Sequence, residues 1–154
     1  MTLSRARAEQ RPVVVVAHSL GSLVAYGALR SASAGSDATI QRLVTLGSPL
    51  GAAELRQLVF KDSAAARVNL PASVRSWVNV REPRDPIAIP VSDADSSVLR
   101  DLVGSGGADG VDAHDMGGYL RDPLAGRAIA WAWCAAFERR SGAPAACDQI
   151  ADPH

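Results

Sequence analysis

The chain has 154 residues, of which 16 are lysine or arginine and 16 are aspartate or glutamate, so its formal net charge is zero. Nothing in this balance suggests a nucleic-acid partner, and no apolar run reaches the roughly 18 residues of a membrane span. The length suits a single domain that buries about two-thirds of its unfolded surface.

The N-terminus lacks the long apolar core of a secretory signal, so we expect a cytoplasmic protein or a piece of a longer chain. One domain is expected over residues 1–154, with residues 1–11 and 140–154 loosely ordered. Strands are predicted at residues 12–17, 41–46 and 74–80, and helices at residues 20–33, about 52–60 and 122–139. This alternation predicts a three-layer α/β fold with a parallel sheet and flanking helices.

The first predicted strand contains four consecutive valines, at residues 13–16, and runs directly into Ala17-His18-Ser19-Leu20-Gly21. Four β-branched residues favour a strand that is buried on both faces. Because helix-type residues follow at once, Ser19 is expected at the tip of a sharp turn, with its hydroxyl above the sheet. The alternative interpretation is an ordinary serine in a strand-to-helix loop.

This stretch resembles the nucleophile elbow of the α/β-hydrolase family, in the lipase and esterase branch that carries Ala-His-Ser-x-Gly. The resemblance implies that Ser19 is the nucleophile and that the backbone N–H of Leu20 is one oxyanion donor. His18 is expected to be structural, because a residue adjacent to the serine points away from its proton. In this family an acid and then a histidine follow in chain order, each on a loop after a strand.

The third predicted strand ends in a loop that contains Glu82, Asp85 and two prolines, which break regular structure. The acid of the family usually lies in such an Asp-Pro loop, so the resemblance favours Asp85 and leaves Glu82 as the alternative. A purely structural turn aspartate is the third interpretation, since aspartate is common in turns.

The chain has three histidines, His18, His114 and His154, and the last of these is the C-terminal residue. His114 lies in a loop with flanking glycines before the last predicted helix, and this loop resembles the histidine loop of the family. His114 is therefore the predicted base, with a surface histidine as the alternative. Asp112 and Asp115 are further candidates for its acidic partner.

The resemblance covers residues 12 to about 138 and corresponds to the C-terminal half of the family's fold. We therefore expect a truncated α/β-hydrolase fold that lacks the usual N-terminal strands, with the valine strand exposed at a sheet edge. The chain is then a fragment of a longer hydrolase, a compact hydrolase completed by homodimerisation, or a catalytically silent interaction module that uses its open edge.

No convincing strand is predicted at residues 92–112 except near Val111, and residues 97–103 are predicted to form one helical turn.

The resemblance implies a serine hydrolase that cleaves carboxylic esters through a Ser-His-Asp triad and an acyl-enzyme. A short or medium acyl group is expected, because residues 52–73 hold only one small apolar patch. No cofactor is expected, and the histidines lack the paired spacing of a metal site. Cys134 lies in an apolar helix and is expected to be a buried thiol, with a disulfide to Cys147 as the alternative.

Overall fold

A computed structural model describes residues 3–9, 11–31, 40–61, 67–92, 99–104, 110–138 and 145–153. Its strands are β1 (Val13–His18), β2 (Ile40–Leu46), β3 (Trp77–Arg81) and β4 (Leu99–Val103), and its α-helices are α1 (Leu3–Ala8), α2 (Gly21–Ser31), α3 (Ala53–Phe60), α4 (Met116–Arg121) and α5 (Pro123–Glu138). The strands form one sheet in the order β1-β2-β3-β4, and every neighbouring pair is parallel. The predicted α/β class with a parallel sheet and flanking helices is confirmed.

The two faces of the sheet carry separate apolar cores, because successive side chains of a strand point to opposite faces. Helices α2 and α3 cover one face, and α4 and α5 cover the other. The first core includes Leu23, Tyr26, Leu29, Ile40, Leu43, Leu50, Trp77 and Leu99. The second core includes Val44, Leu46, Val78, Val80, Leu102, Tyr119, Ala125 and Ala128. The sheet is thus buried between two helical layers.

Strand β4 corrects one prediction, since the helical turn expected over residues 97–103 is a strand from Leu99 to Val103. Residues 97 and 98 lie outside the described ranges. Strand β4 pairs with the whole of β3, and the Asp101 carboxylate accepts hydrogen bonds from Asn79 Nδ2 at 2.6 Å and Arg81 Nε at 2.7 Å. Pairing with a buried neighbour therefore overrides the local sequence pattern.

Strand β1 is an edge strand of the described sheet, and the side chain of Val16 is 42% exposed. Helix α1 precedes β1 in a segment where no helix was predicted from the sequence. The region near Val111, where a strand was an option, forms a 3-10 helix over Gly110–His114. No helix in the described part of the chain is long and apolar enough to cross a bilayer.

The C-terminal segment is attached to the rest of the fold at two places, one in α5 and one in β2. A disulfide joins Cys134 in α5 to Cys147, so the expected buried thiol is replaced by the alternative that the sequence left open. Arg42 of β2 is buried, pairs with Asp152 at 3.0 Å, and lies 4.0 Å from the ring centroid of Trp131. These contacts hold the end of the described chain against β2 and α5.

Candidate active site

Ser19 occupies a strained turn between β1 and α2. Its φ of 55° lies in the left-handed region, which is costly for a residue with a side chain. The turn is fixed by two hydrogen bonds: Ser19 N donates to Leu46 O of β2 at 3.0 Å, and Ser22 N donates to Ser19 O at 2.9 Å. Backbone strain of this kind is concentrated at functional sites, where it positions a side chain.

The Ser19 hydroxyl lies against the imidazole of His114, which in turn contacts the carboxylate of Asp85. The distance from Ser19 Oγ to His114 Nε2 is 2.8 Å, and that from His114 Nδ1 to Asp85 Oδ2 is 2.7 Å. With Nδ1 donating to the carboxylate, Nε2 is free of a proton and accepts from the serine hydroxyl. The three residues therefore have the connectivity of a proton-transfer chain.

The parallel sheet explains why these three side chains meet. Ser19 follows β1, Asp85 lies in the loop after β3, and His114 lies in the connection that follows β4. Carboxyl ends of parallel strands share one edge of a sheet, where open α/β proteins carry their sites. In the described ranges no group of three or more histidine, cysteine, aspartate or glutamate side chains is arranged to hold a metal ion.

None of the other acidic candidates in the described residues has a recorded hydrogen bond to the His114 ring. Glu82 Oε1 accepts hydrogen bonds from the backbone N–H of Arg84 at 3.4 Å and from its Nε at 3.3 Å. Asp115 caps α4 by accepting from Gly118 N at 2.8 Å, and Asp112 is exposed in the 3-10 helix before it. His154, the third histidine of the chain, lies outside the described residues.

Asp85 is buried yet held in its charged form by surrounding donors. Burial alone would raise the pKa of this carboxyl, but hydrogen bonds from His114, from the Tyr119 hydroxyl and from the Ile87 N–H bring its pKa below the ordinary value. The Ile87 N–H donates to Oδ1 at 2.8 Å, so both carboxylate oxygens are bonded. An ionised Asp85 can orient His114 and stabilise its protonated form.

Tyr119 is part of this network and was not singled out from the sequence. Its hydroxyl donates to Asp85 Oδ2 at 2.7 Å and accepts from the backbone N–H of Glu82 at 3.0 Å. Burial, together with the bond to Asp85, raises the pKa of Tyr119, so the hydroxyl keeps the proton that it donates. The sequence offers no separate signal for this residue, because its partner Asp85 lies 34 residues earlier in the chain.

His18 supports the histidine loop and does not contact the serine proton in this arrangement. Its Nε2 donates to the backbone carbonyl of His114 at 2.9 Å, and the two ring centroids are 4.7 Å apart. Burial, followed by the nearby charge of His114, lowers the pKa of His18. A neutral His18 is therefore favoured beside His114, in keeping with the structural role expected from the sequence.

Exposed apolar side chains accompany all three residues of the network. Leu20, immediately after Ser19, is 61% exposed, Ile87 lies two residues after Asp85, and Met116 two residues after His114. Ile87 is 40% and Met116 52% exposed. Each of the three segments that carry the network therefore also carries one exposed apolar side chain.

The family model of lecithin:cholesterol acyltransferase (LCAT) matches residues 3–63 of the chain. This is an α/β-hydrolase-type family of lipases and acyltransferases. The matched segment contains β1, Ser19, α2 and β2, whereas Asp85 and His114 lie beyond it. No curated protein and no solved structure gives a significant match to the chain. The similarity suggests an enzyme of the esterase or acyltransferase type.

Proposed function

We propose that the chain is a serine enzyme that transfers the acyl group of a lipid-type carboxylic ester through a triad of Ser19, His114 and Asp85. The hydrogen-bonded order Ser19 Oγ, His114 Nε2, His114 Nδ1, Asp85 Oδ2 carries this proposal. An activated serine needs a base within hydrogen-bond reach and a third group that orients the base. The LCAT-family match over Ser19 supports the same chemistry.

In the proposed reaction the Ser19 oxygen attacks the ester carbonyl while its proton passes to His114 Nε2. The carbonyl π electrons move to the oxygen, and the Leu20 N–H, at the start of α2, donates to that oxyanion. When the C–O bond breaks, the imidazolium returns the proton to the departing alcohol. Water, or an alcohol in acyl transfer, then attacks the acyl carbonyl while its proton passes to His114, and the bond from the acyl group to Ser19 breaks as His114 returns that proton to the serine oxygen.

The exposed side chains of Leu20, Ile87 and Met116 support an apolar acyl or alcohol group in the substrate. The sequence favours a short or medium acyl chain, whereas the LCAT-family match supports lipid esters more generally. Acetate, butyrate and palmitate esters of one chromogenic alcohol separate these possibilities. Rates that fall with chain length support a short-chain preference, and rates that rise overturn it.

The proposal is tested by turnover of these esters with the wild type and with Ser19→Ala. We expect the wild type to release alcohol and to show a transient mass increase equal to one acyl group, while Ser19→Ala shows neither. An added alcohol acceptor reveals acyl transfer if an ester of that alcohol accumulates. Turnover that survives unchanged in Ser19→Ala would contradict the proposal.

The edge position of β1 favours a second candidate, a silent module that binds another chain by strand addition. The four valines of β1 provide the apolar side chains that such pairing requires. A folded wild type that neither hydrolyses esters nor acquires an acyl group, but elutes as a dimer in light scattering, would support this candidate.

A further inference from the structure

The hydroxyl of Tyr119 is not needed for the packing of its aromatic ring. The ring packs in the second core, which also contains Val80 and Ala125, and the residue is 4% exposed. A phenylalanine could fill this space, and burial of a hydroxyl costs free energy unless partners satisfy it. The hydroxyl of Tyr119 has two partners, the Asp85 carboxylate and the Glu82 N–H.

Asp85 Oδ2 accepts from two donors at the same distance. Tyr119 Oη and His114 Nδ1 each lie 2.7 Å from this oxygen, while Oδ1 accepts from Ile87 N. The tyrosine therefore fixes the rotation of the carboxylate and shares its negative charge with the imidazole. The backbone N–H of Glu82 in turn fixes the hydroxyl, so the tyrosine proton points at Asp85.

The surrounding backbone also leaves room for this contact. A Cβ atom added to Gly47 would lie 2.8 Å from Cε2 of Tyr119 and 2.9 Å from Oδ2 of Asp85. Gly47 thus lies directly against the Tyr119–Asp85 pair, at the end of β2. The Tyr119–Asp85 pair is therefore where three elements come together: the loop after β2, the loop after β3, and helix α4.

We propose that Tyr119 is a positioning residue of the triad, which holds Asp85 in register with His114 and tunes how strongly the carboxylate stabilises the imidazolium. This inference rests on the proposed function of Ser19, His114 and Asp85. Among the described residues, His114, His18 and Glu82 interact electrostatically with the pair, and Asp115 interacts with His18.

Tyr26 provides a matched control elsewhere in the fold. It is buried in the first core, and its hydroxyl also has two partners, both in the backbone: it donates to Asn69 O and accepts from Asn69 N, each at 3.1 Å. The variants Tyr119→Phe and Tyr26→Phe each remove one satisfied hydroxyl from a buried ring. They differ in that only the first removes a donor to Asp85.

The experiment compares both variants with the wild type in ester turnover, fluorophosphonate labelling and thermal unfolding. For Tyr119→Phe we expect kcat and the labelling rate to fall about tenfold, as for loss of one hydrogen bond to a charged group, with KM unchanged. The acidic limb of its kcat/KM profile moves to higher pH, because the freed carboxylate oxygen attracts the imidazolium proton more strongly. Tyr26→Phe keeps the wild-type kcat and pH profile.

A readout that does not depend on activity separates this inference from the proposed function. The proton between His114 Nδ1 and Asp85 is followed by NMR in all three proteins. We expect its resonance to shift in Tyr119→Phe and to stay in place in Tyr26→Phe, whether or not the wild type hydrolyses esters. If both variants keep the wild-type resonance and pH profile, Tyr119 is a packing residue and the inference is wrong; absence of turnover in the wild type contradicts the proposed function alone.

Discussion

The imidazole of His114 joins a half-buried hydroxyl on Ser19 to a buried carboxylate on Asp85. Asp85 keeps its charge in a buried position because three donors surround it: the imidazole, the Tyr119 hydroxyl and the Ile87 N–H. Because this acid is already ionised, the proposed mechanism needs proton transfer only between His114 and Ser19.

The environment of His18 predicts that the stability of the fold depends on pH. Burial lowers the pKa of His18 below the ordinary histidine value, so the folded state binds fewer protons than the unfolded state. Its contribution is fully present above about pH 6.5 and is lost as the pH falls through the lower pKa of the folded state. We expect the urea concentration at the unfolding midpoint of the wild type to decrease as the pH is lowered below about 6.5. The midpoint of His18→Gln should decrease less.

Glutamine keeps an N–H that can donate to the His114 carbonyl but cannot be protonated, so it isolates the charge. The control is His154→Gln, which tests whether the removal of any imidazole reduces the pH dependence to the same extent. Equal pH slopes for the wild type and His18→Gln would show that His18 does not contribute to this pH dependence.

The sequence could indicate Ser19 and His114 because few other residues of the same type lie in a comparable predicted position. Ser19 is the serine expected in a strand-to-helix turn, and His114 is the histidine expected in a suitable loop. The acid was harder to assign, since Glu82, Asp85 and Asp115 are all acidic residues in nearby loops. Their side-chain partners, which depend on the fold, separate them in the structure. The contact of Tyr119 with Asp85 spans 34 residues, a distance at which a single sequence carries no signal.

The end of β2 determines how closely the loops of the site approach one another. Gly47 has a φ of 53° and donates its N–H to Val80 O at 3.0 Å. Its lack of a Cβ lets the Tyr119 ring and the Asp85 carboxylate pack against the backbone. One small residue at a strand end thus positions groups from two other elements.

Gly47→Ala is expected to destabilise the fold by at least about 2 kcal/mol, because left-handed backbone is costly for alanine and the added methyl meets Tyr119 and Asp85. The fluorophosphonate labelling rate of Ser19 should fall as well. Chemical denaturation and labelling kinetics measure the two effects.

Gly126→Ala is the control for this change, since a Cβ there meets nothing within 4 Å. Position 126 lies inside α5, where alanine is a better helix former, so we expect stabilisation by about 0.5–1 kcal/mol and unchanged labelling. A Gly47→Ala protein as stable and reactive as Gly126→Ala would show that the close approach at Gly47 has no energetic importance.

The elements themselves differ in how well the sequence predicts them. The periodic segments of β1, α2, β2, α3 and α5 agree with their predicted bounds to within two residues. Strand β4 was misassigned because Leu99, Leu102 and Val103 have helical spacing, while Arg100 and Asp101 have little strand preference. Its register with β3 provides the missing information, and that register is a long-range property.

Across the whole molecule, the C-terminal segment is joined to the rest by both covalent and ionic contacts. The Cys134–Cys147 disulfide bridges a sequence separation of 13 residues, and Asp152 pairs with Arg42 and with Arg100 at 3.0 and 3.4 Å. Because Arg42 is buried in the sheet, removal of its partner would leave a desolvated charge. The segment therefore contributes to the stability of the core.

Reduction of the disulfide is expected to lower the free energy of unfolding by about 3 kcal/mol, the amount typical for a closed loop of this size. Urea unfolding with and without dithiothreitol measures this difference. A Cys134→Ala/Cys147→Ala double variant is the control, since it should not respond to the reductant. Identical midpoints for the oxidised and reduced wild type would contradict a stabilising role of the disulfide.

The activation of Ser19 is the central claim, and intact-mass detection of fluorophosphonate labelling tests it most directly. Ser31→Ala, at the exposed end of α2, is the matched control for Ser19→Ala. We predict one rapid adduct on the wild type and on Ser31→Ala, and none on Ser19→Ala. A folded wild type that acquires no adduct, or an adduct that persists in Ser19→Ala, would contradict the claim.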